Sequence, residues 1–294
     1  MKFITYDVEH GSCHVLRIPN ESEDVMMFDA GSKEDFSPAV HLKTSWGISK
    51  LRWLHLSHLD SDHLTDISKI AEMWESPAIT TLDYPSVSES TILLHHNNEL
   101  PAPIEVFYEF RKRFGGHVPS LGHEGYDWGG VRFATFQNSE AHFKDLNNLS
   151  SVVFIDYRGT TILLPGDLEY QGWLKHMENP DFVYWLERVD ILVASHHGRE
   201  SGFCSELFDP NMGKCSPILT IISDKGVSDT SVSDKYRAVT QGINFTKNDG
   251  SVVTRRVLTT RNDGAISVDV DNEGRLNVRY GFDYSNDLGV TYYD

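Results

Sequence analysis

The sequence predicts an α/β (α+β) fold of four layers, αββα, in which two mixed β-sheets pack face to face with helices outside. One observation is that strand-rich patterns fill two halves of the chain, roughly residues 1–166 and 186–270. A second is the amphipathic spacing of stretches such as Leu64–Trp74 and Trp173–Leu186. Sheets and helices with one apolar side bury it by packing in layers. A third is that three apolar strands end in His or Asp, and functional residues of layered α/β folds commonly lie at strand ends.

The composition predicts a single domain over residues 1–294. A chain of this length buries a sizeable core, and no Gly/Ser/Pro linker, low-complexity tract or internal repeat divides it. There is no run of 18 apolar residues and no charged-then-apolar leader, so we expect a cytoplasmic protein without a membrane segment. The three cysteines form no Cys-x-x-Cys pair, which fits a reducing compartment better than a disulfide framework.

The first element that carries chemistry is the run Ser57–His63, which follows the apolar strand Leu51–Leu56. Its potential metal ligands are two imidazoles and two carboxylates, those of His58, Asp60, Asp62 and His63. Close carboxylates repel each other unless a cation lies between them, so the run indicates a metal site. The alternative is a polar strand-to-helix turn in which Asp62 caps the following helix. Four ligands within six positions favour the metal site.

Two later elements end in the same residue types. The segments Asn147–Gly159 and Thr161–Asp167 predict a hairpin of two β-rich strands, and Asp167 stands at its end where a bridging ligand could lie. The apolar strand that begins at Val189 ends in His196 and His197. By contrast, His55 alternates with leucines inside a strand, which predicts a buried, hydrogen-bonded side chain rather than a ligand.

This set of motifs, in this order, resembles the metallo-β-lactamase superfamily. More narrowly, it resembles the branch that contains the hydrolase domain of the competence protein ComEC. The opening Phe3–Leu16 and the turn Asp29–Gly31 are similar to that branch's first hairpin and Asp-x-Gly turn. Thr220–Lys225 and Asn262–Ile266 match its last elements, so the resemblance covers roughly residues 1–270.

The chain departs from the family pattern at three places. Asp60 stands where the superfamily more often has a histidine, and Asn147 or Asn148 stands in place of another. His142 is an alternative source of that missing imidazole. The branch's late His-Pro segment is absent from Val227–Ser231.

The resemblance implies two divalent metal ions, zinc or manganese, at one edge of the sandwich. The implied ligands are His58 and Asp60 for one ion, Asp62, His63 and His196 for the other, and Asp167 as the bridge. We prefer His196 to His197 because it comes first off the strand, and this preference makes His197 a neighbouring or phosphate-binding residue. Asp62 is also the predicted catalytic residue. The other residues expected near the metals or the substrate are Asn148, Lys225 and His10.

The implied function is that of a metal-dependent hydrolase, most simply a dinuclear phosphodiesterase or nuclease that uses a metal-bound hydroxide. Asp60 and Asn148 make the first site richer in oxygen donors, which shifts its preference from zinc toward manganese. One alternative is hydrolysis of a thioester or lactone-type small molecule on the same site. Another is a metal-binding regulatory protein without turnover, acting with an operon-encoded partner.

The net charge of −17 argues against indiscriminate binding of nucleic acid. We therefore expect phosphodiester substrates, with single-stranded or short nucleic acid ahead of long duplexes. Residues 84–128 are predicted to be a variable insertion near the active site, and they contain His95, His96, His117 and His123. The basic run Arg111–Arg113 in this stretch is typical of a solvated helix face. The oligomeric state stays open.

Overall fold

The computed structural model describes residues 1–74, 79–114, 120–225, 232–246 and 250–281. His117 and the segment Val227–Ser231 lie outside these residues. In chain order, the strands are β1 (Lys2–Thr5), β2 (His14–Arg17), β3 (Val25–Phe28), β4 (Leu51–His55), β5 (Ile79–Asp83), β6 (Arg132–Gln137), β7 (Ser151–Tyr157), β8 (Thr160–Leu164), β9 (Val189–Val193), β10 (Leu219–Ile222), β11 (Ile243–Thr246), β12 (Val252–Arg255), β13 (Val257–Thr259), β14 (Ile266–Val270) and β15 (Leu276–Tyr280). The α-helices are α1 (Pro38–Thr44), α2 (Ile67–Met73), α3 (Glu89–His95), α4 (Ala102–Arg111), α5 (Tyr170–Met177), α6 (Pro180–Leu186), α7 (Ser233–Val239) and α8 (Thr260–Asp263).

The strands form two large mixed sheets and one small hairpin. The seven-stranded sheet has the order β15-β14-β1-β2-β3-β4-β5, and β3, β4 and β5 are parallel to one another. The six-stranded sheet has the order β13-β10-β9-β8-β7-β6, and β8, β9, β10 and β13 are parallel. The remaining pairs in both sheets are antiparallel, and β11 pairs with β12 in the small hairpin. The loops after β8 and β9 leave the same edge of the six-stranded sheet because these strands are neighbours and parallel, and packing of the two sheets brings the loop after β4 to the same place.

The two sheets pack face to face because successive side chains of each strand point to opposite sides. In β1, Phe3 belongs to the apolar cluster shared by the two sheets, whereas its neighbour Ile4 belongs to the cluster beneath α1, α2 and α4. In β7, Ile155 joins the shared cluster and Phe154 packs with Phe182 of α6. The three clusters lie between four successive layers: helices, sheet, sheet and helices. The predicted αββα sandwich is therefore confirmed.

The helices begin and end at positions that differ from the sequence pattern for local reasons. The stretch Trp173–Leu186 is divided between α5 and α6, because Pro180 cannot continue a helix and Asn179 caps the second one through the Asp181 amide. The stretch Leu64–Trp74 contributes a helix only from Ile67 onward, after the Ser57–His63 loop.

Within the described ranges, no helix is both long and apolar enough to cross a membrane. Cys13, Cys204 and Cys215 are buried free thiols. The basic run at the end of α4 is engaged locally: Arg111 stacks on Tyr108, and Arg113 donates to the carbonyl of Ala71.

Candidate metal centre

The loop after β4 is fixed by one buried carboxylate, that of Asp29 at the end of β3. It accepts hydrogen bonds from the Ser57 amide at 2.6 Å, the Ser57 hydroxyl at 2.9 Å and His63 Nδ1 at 2.8 Å. Asp29 adopts a left-handed backbone with φ 58°, a conformation that Asp tolerates better than most residues. The Ser57 carbonyl in turn accepts from the Ser151 amide at 2.7 Å, which joins the two sheets beside the loop.

Two glycines let neighbouring backbone approach this loop closely. A Cβ on Gly11, in the turn after β1, would lie 2.5 Å from the Asp62 carbonyl oxygen. Gly166 precedes Asp167 with φ 58°, and a Cβ there would lie 2.8 Å from the side chain of Ser57. A side chain at either position would push the turn away from the loop, so glycine is required at both.

Four side chains from three loops converge at this edge. Ligand atoms of Asp62, His63, Asp167 and His197 all lie within 4.8 Å of one another. The distance is 3.2 Å between His63 Nε2 and Asp167 Oδ1, 3.4 Å between His197 Nε2 and Asp167 Oδ2, and 3.1 Å between His197 Nε2 and Asp62 Oδ2. Two ligand atoms that share a tetrahedral ion at about 2.1 Å lie about 3.4 Å apart. The spacing therefore fits a shared cation.

The imidazoles of this region are oriented with Nε2 toward the carboxylates. Because a carboxylate only accepts, His63 Nδ1 donates its proton to Asp29, and His58 Nδ1 lies 3.1 Å from the Ser57 hydroxyl. His197 Nδ1 donates to the Ser223 carbonyl at 3.0 Å. Among the described residues, His58 Nε2 and His63 Nε2 are buried without a hydrogen-bond partner. A nitrogen ligand whose other ring nitrogen donates to oxygen is the usual arrangement at protein metal sites.

His196 lies beside the cluster but has different partners. Its Nε2 accepts from Arg199 Nη1 at 3.1 Å, and its Nδ1 lies 2.9 Å from the Ser201 hydroxyl. The distance from His196 Nε2 to Asp167 Oδ2 is 3.7 Å. His197, whose Nε2 faces two carboxylates, is thus the member of the pair that the structure brings into the four-residue cluster.

Both histidines have left-handed backbone conformations, with φ 50° at His196 and 53° at His197. Two consecutive non-glycine residues in this region are costly and are held by the surrounding structure. The His196 amide donates to the Gly166 carbonyl at 3.2 Å, which ties the turn to the end of β8.

A second cluster surrounds Asp60. Its Oδ1 lies 3.1 Å from His95 Nε2 and 3.5 Å from His96 Nε2, while its Oδ2 lies 3.5 Å from His58 Nε2. Asp167 Oδ2 is 3.9 Å from His58 Nε2 and also belongs to the first cluster. The carboxylate of Asp167 therefore lies between the two clusters, at the position that a bridging ligand would occupy.

The electrostatics of the first cluster favour charged carboxylates paired with protonated imidazoles. Burial alone would raise the pKa of Asp167, but the adjacent His197 and His63 hold it well below its usual value. Burial opposes protonation of His197, yet Asp167 and Asp62 raise its pKa to about 9. The pKa of His63 is likewise raised well above its ordinary value, against the effect of burial, by Asp167, Asp29 and Asp62. A bound cation would take the place of these protons, so metal binding should release them.

The other predicted site residues have varied surroundings. His10 Nε2 lies 3.5 Å from Asp62 Oδ2 and is partly exposed. Asn148 is buried, and its Oδ1 accepts from the amides of Glu169 at 3.2 Å and Gly172 at 2.9 Å. Lys225 is exposed and its Nζ lies 2.5 Å from Glu9 Oε2. His142 is exposed and is absent from both ligand clusters found among the described residues.

His55 is buried and its Nδ1 lies 2.8 Å from Asp83 Oδ2. This confirms the prediction of a hydrogen-bonded core residue. The residues that the sequence pattern did not assign to the centre are His95, His96 and Arg199. The tandem histidines were visible in the sequence, but their contact with Asp60 depends on where α3 packs.

Comparison with known proteins identifies the fold. The family model described as the metallo-beta-lactamase superfamily matches residues 6–196, almost two thirds of the chain. No curated protein matches the sequence. The metallo-beta-lactamase fold protein YhfI from Bacillus subtilis is 15% identical, with 86% of this chain and 99% of that chain covered and a TM-score of 0.47.

Two further solved structures are similar at still lower identity. A diphosphatase of the PhnP family is 11% identical, with 76% of this chain and 86% of that chain covered and a TM-score of 0.41. CmlA, a diiron beta-hydroxylase from Streptomyces venezuelae, is 9% identical, with 77% and 45% covered and a TM-score of 0.45. Similarities at this level concern the fold alone.

Proposed function

This chain belongs to the metallo-β-lactamase superfamily, and we propose that within it the protein is a hydrolase that uses two divalent ions to cleave phosphodiesters. The observation that carries the proposal is the pair of ligand clusters that meet at Asp167. We further propose that the protein is a cytoplasmic relative of the hydrolase domain of ComEC, on the motifs quoted above.

The residues that would hold the ions are His58 and Asp60 on one side, Asp62, His63 and His197 on the other, and Asp167 between them. When bound, such paired ions supply a water of lowered pKa and positive charge against the oxygens of the attacked group. Three carboxylates among six ligands suit hard cations such as manganese, while three imidazoles keep zinc in competition. Phosphodiesters fit this set because hard cations share the charge that develops on their oxygens.

Arg199 supports a phosphate-containing substrate. Its Nη1 lies 3.1 Å from His196 Nε2 and its Nη2 lies 3.4 Å from His10 Nε2, so two imidazoles hold the guanidinium next to the metal ligands. A guanidinium carries five N–H donors in a fixed fork that matches phosphate oxygens. Arg199 is therefore a stronger candidate for the phosphate contact than Lys225, which is exposed and paired with Glu9.

The chain's own residues would hold the metal-binding imidazoles in place. Ser57 and Asp29 fix the imidazoles of His58 and His63, so that their Nε2 atoms face the carboxylates of Asp60 and Asp167. His10 borders the site from the turn after β1, and its ring is tilted by 45° to that of His197 with ring centroids 5.0 Å apart. These contacts preorganise the site before substrate binds, which is how buried polar networks lower a reaction barrier.

The test is a substrate panel on protein loaded with manganese, magnesium or zinc. It contains bis-(p-nitrophenyl) phosphate, single-stranded DNA, RNA, cyclic nucleotides and a thioester. We expect phosphodiester cleavage that manganese stimulates more than magnesium, and that Asp62→Asn abolishes without unfolding. His55→Ala, which removes a histidine outside the site, is the matched control and should keep activity once folded. Background rates on every phosphodiester with both ions bound, alongside cleavage of a thioester or lactone, would reassign the function to that alternative.

The net charge of −17 restricts the substrate further. Without excess basic surface, long polymers bind weakly at physiological salt. We therefore propose that short or single-stranded substrates outperform long duplex DNA, and that an operon-encoded partner protein would be needed to hold a long polymer.

A further inference from the structure

The ligand set around Asp60 is short of one imidazole. Asn148 stands at the place where relatives have a histidine. Its side-chain oxygen accepts hydrogen bonds from the amides of Glu169 and Gly172 at the start of α5. His142, the other sequence candidate, is exposed and outside the cluster. An ion on this side would have only His58, Asp60 and Asp167 from the sheet edges.

The end of α3 brings two further imidazoles to the same point. His95 Nε2 is 3.1 Å from Asp60 Oδ1, yet that oxygen is buried and has no hydrogen-bond partner among the described residues. The two atoms are close without being aligned for a hydrogen bond. His58 Nε2, which is buried and also unpartnered in the described part of the chain, lies 3.5 Å from the other oxygen of Asp60. Ligand atoms 3.1 Å and 3.5 Å apart have the spacing expected around one divalent cation.

Helix α3 is held in this position by contacts at both ends. Ser88 caps its first turn and donates to Glu140 Oε1 at 2.7 Å, and Ile92 is buried in the helix-side core. At the other end, His96 Nε2 lies 3.3 Å from the Leu59 carbonyl, inside the metal-binding loop. His96 therefore holds the helix against the loop, and its Nε2 already has the Leu59 carbonyl oxygen as its partner.

We propose that His95 is a ligand of the first metal ion, so that a helix from the 84–128 stretch completes the centre. His95 and His58 supply nitrogen, Asp60 and Asp167 supply oxygen, and the site takes a divalent cation that accepts both, such as zinc or manganese. Within the described part of the chain, His95 Nδ1 accepts a hydrogen bond from the Leu146 amide at 3.5 Å, the outer limit of such a bond, so little is lost when Nε2 binds an ion. His96 is a positioning residue. The inference rests on the two-ion centre of the proposed function.

The experiment counts metal, so it does not depend on the substrate. Metal-free protein is titrated with Co²⁺ and Zn²⁺, and bound metal is measured by elemental analysis and by the Co²⁺ absorption spectrum. We expect two ions in the wild type and in the control His142→Ala, which removes an exposed histidine. His95→Ala should bind the ion on the Asp60 side at least about tenfold more weakly, the smallest loss typical of substitutions around a metal site, and should change the Co²⁺ spectrum.

Unchanged affinity and spectrum in a folded His95→Ala would overturn the proposal, as would loss of the ion in His142→Ala. If His95→Ala does not fold, His95→Gln provides the same comparison with a polar side chain of similar reach. Retained two-ion binding in His95→Gln with the wild-type Co²⁺ spectrum would also overturn it. Failure of the phosphodiester panel with two ions bound would instead refute the proposed function and leave the role of His95 standing.

Discussion

Replacement of Asp29 by asparagine tests whether the metal centre depends on a residue that orients the ligands without binding the ions itself. Asp29 touches no substrate edge and is 3% exposed, yet it accepts three hydrogen bonds, two from Ser57 and one from His63 Nδ1. Asparagine has nearly the same shape but carries one NH₂ group in place of an accepting oxygen. Every partner of Asp29 is a donor, so in either orientation the NH₂ group faces a donor.

The expected magnitude follows from these contacts. A donor left without an acceptor in the interior costs about 1–3 kcal/mol of folding stability. Loss of the acceptor at Nδ1 also favours the tautomer of His63 that protonates Nε2, the nitrogen that would bind the ion. Outer-shell substitutions of this kind lower metal affinity by about 10- to 100-fold, which corresponds to about 1.4–2.8 kcal/mol of binding free energy.

The assay is competition of the Asp29→Asn variant and the wild type for zinc against a chelator, with urea unfolding of the metal-free proteins in parallel. The matched control is Asp83→Asn, because Asp83 pairs with His55 at 2.8 Å in the same geometry, away from the two clusters. We expect wild-type metal affinity in the control. Wild-type affinity in Asp29→Asn, or an equal loss in both variants, would refute the role given to Asp29.

Three further predictions concern the histidine pair, acid stability and the phosphate contact. His197→Ala should bind one ion fewer than the wild type by elemental analysis, whereas His196→Ala should keep both, because the Nε2 of His196 is taken by a guanidinium. Burial lowers the pKa of His176 to about 4 from 6.5 in the unfolded chain. As the pH falls from 6.5 to 4, the unfolded state gains a proton that the folded state excludes, so the free energy of unfolding of the metal-free protein should fall by up to about 3 kcal/mol. Urea unfolding at pH 7 and 4.5 should show a smaller fall for His176→Phe than for the wild type. Arg199→Ala should raise KM for a phosphodiester about tenfold, the effect of losing about 1.4 kcal/mol of binding, with both ions retained, and Lys225→Ala should leave KM unchanged in the same steady-state assay.

Each of these has a clear contrary result. Loss of an ion in the His196 variant with full occupancy in the His197 variant would show that His196 is the metal ligand, as the sequence analysis preferred. An equal decline of the wild type and His176→Phe between the two pH values would show that another group controls acid stability. A larger KM effect at Lys225 than at Arg199 would move the phosphate contact to Lys225.

The parts of the site that the sequence could predict are those set by local order. Alternating apolar residues determine which side chains of a strand enter the core, so the strands and their polar ends follow from the pattern. Asp62 and His63 are adjacent in a single loop after β4, and Asp167 follows directly from β8. Their convergence also depends on how the two sheets pack, because β4 and β8 belong to different sheets.

The parts that the sequence could not predict depend on distant contacts. His197 rather than His196 faces Asp62 and Asp167 because of a left-handed turn and because the Ser223 carbonyl, 26 residues away, accepts a hydrogen bond from the ring of His197. The approach of His95 to Asp60 depends on where α3 packs, 35 residues further along the chain. Neither contact leaves a periodic signal in the sequence.

Metal content of the Asp167→Ala variant tests the central claim most directly, because Asp167 belongs to the first cluster and also lies 3.9 Å from His58 Nε2 on the Asp60 side. The measurement is elemental analysis of the wild type and the variant after loading and dialysis under identical conditions. The account predicts two divalent ions per chain in the wild type and the loss of both from a folded Asp167→Ala protein. Full occupancy in the variant would contradict it.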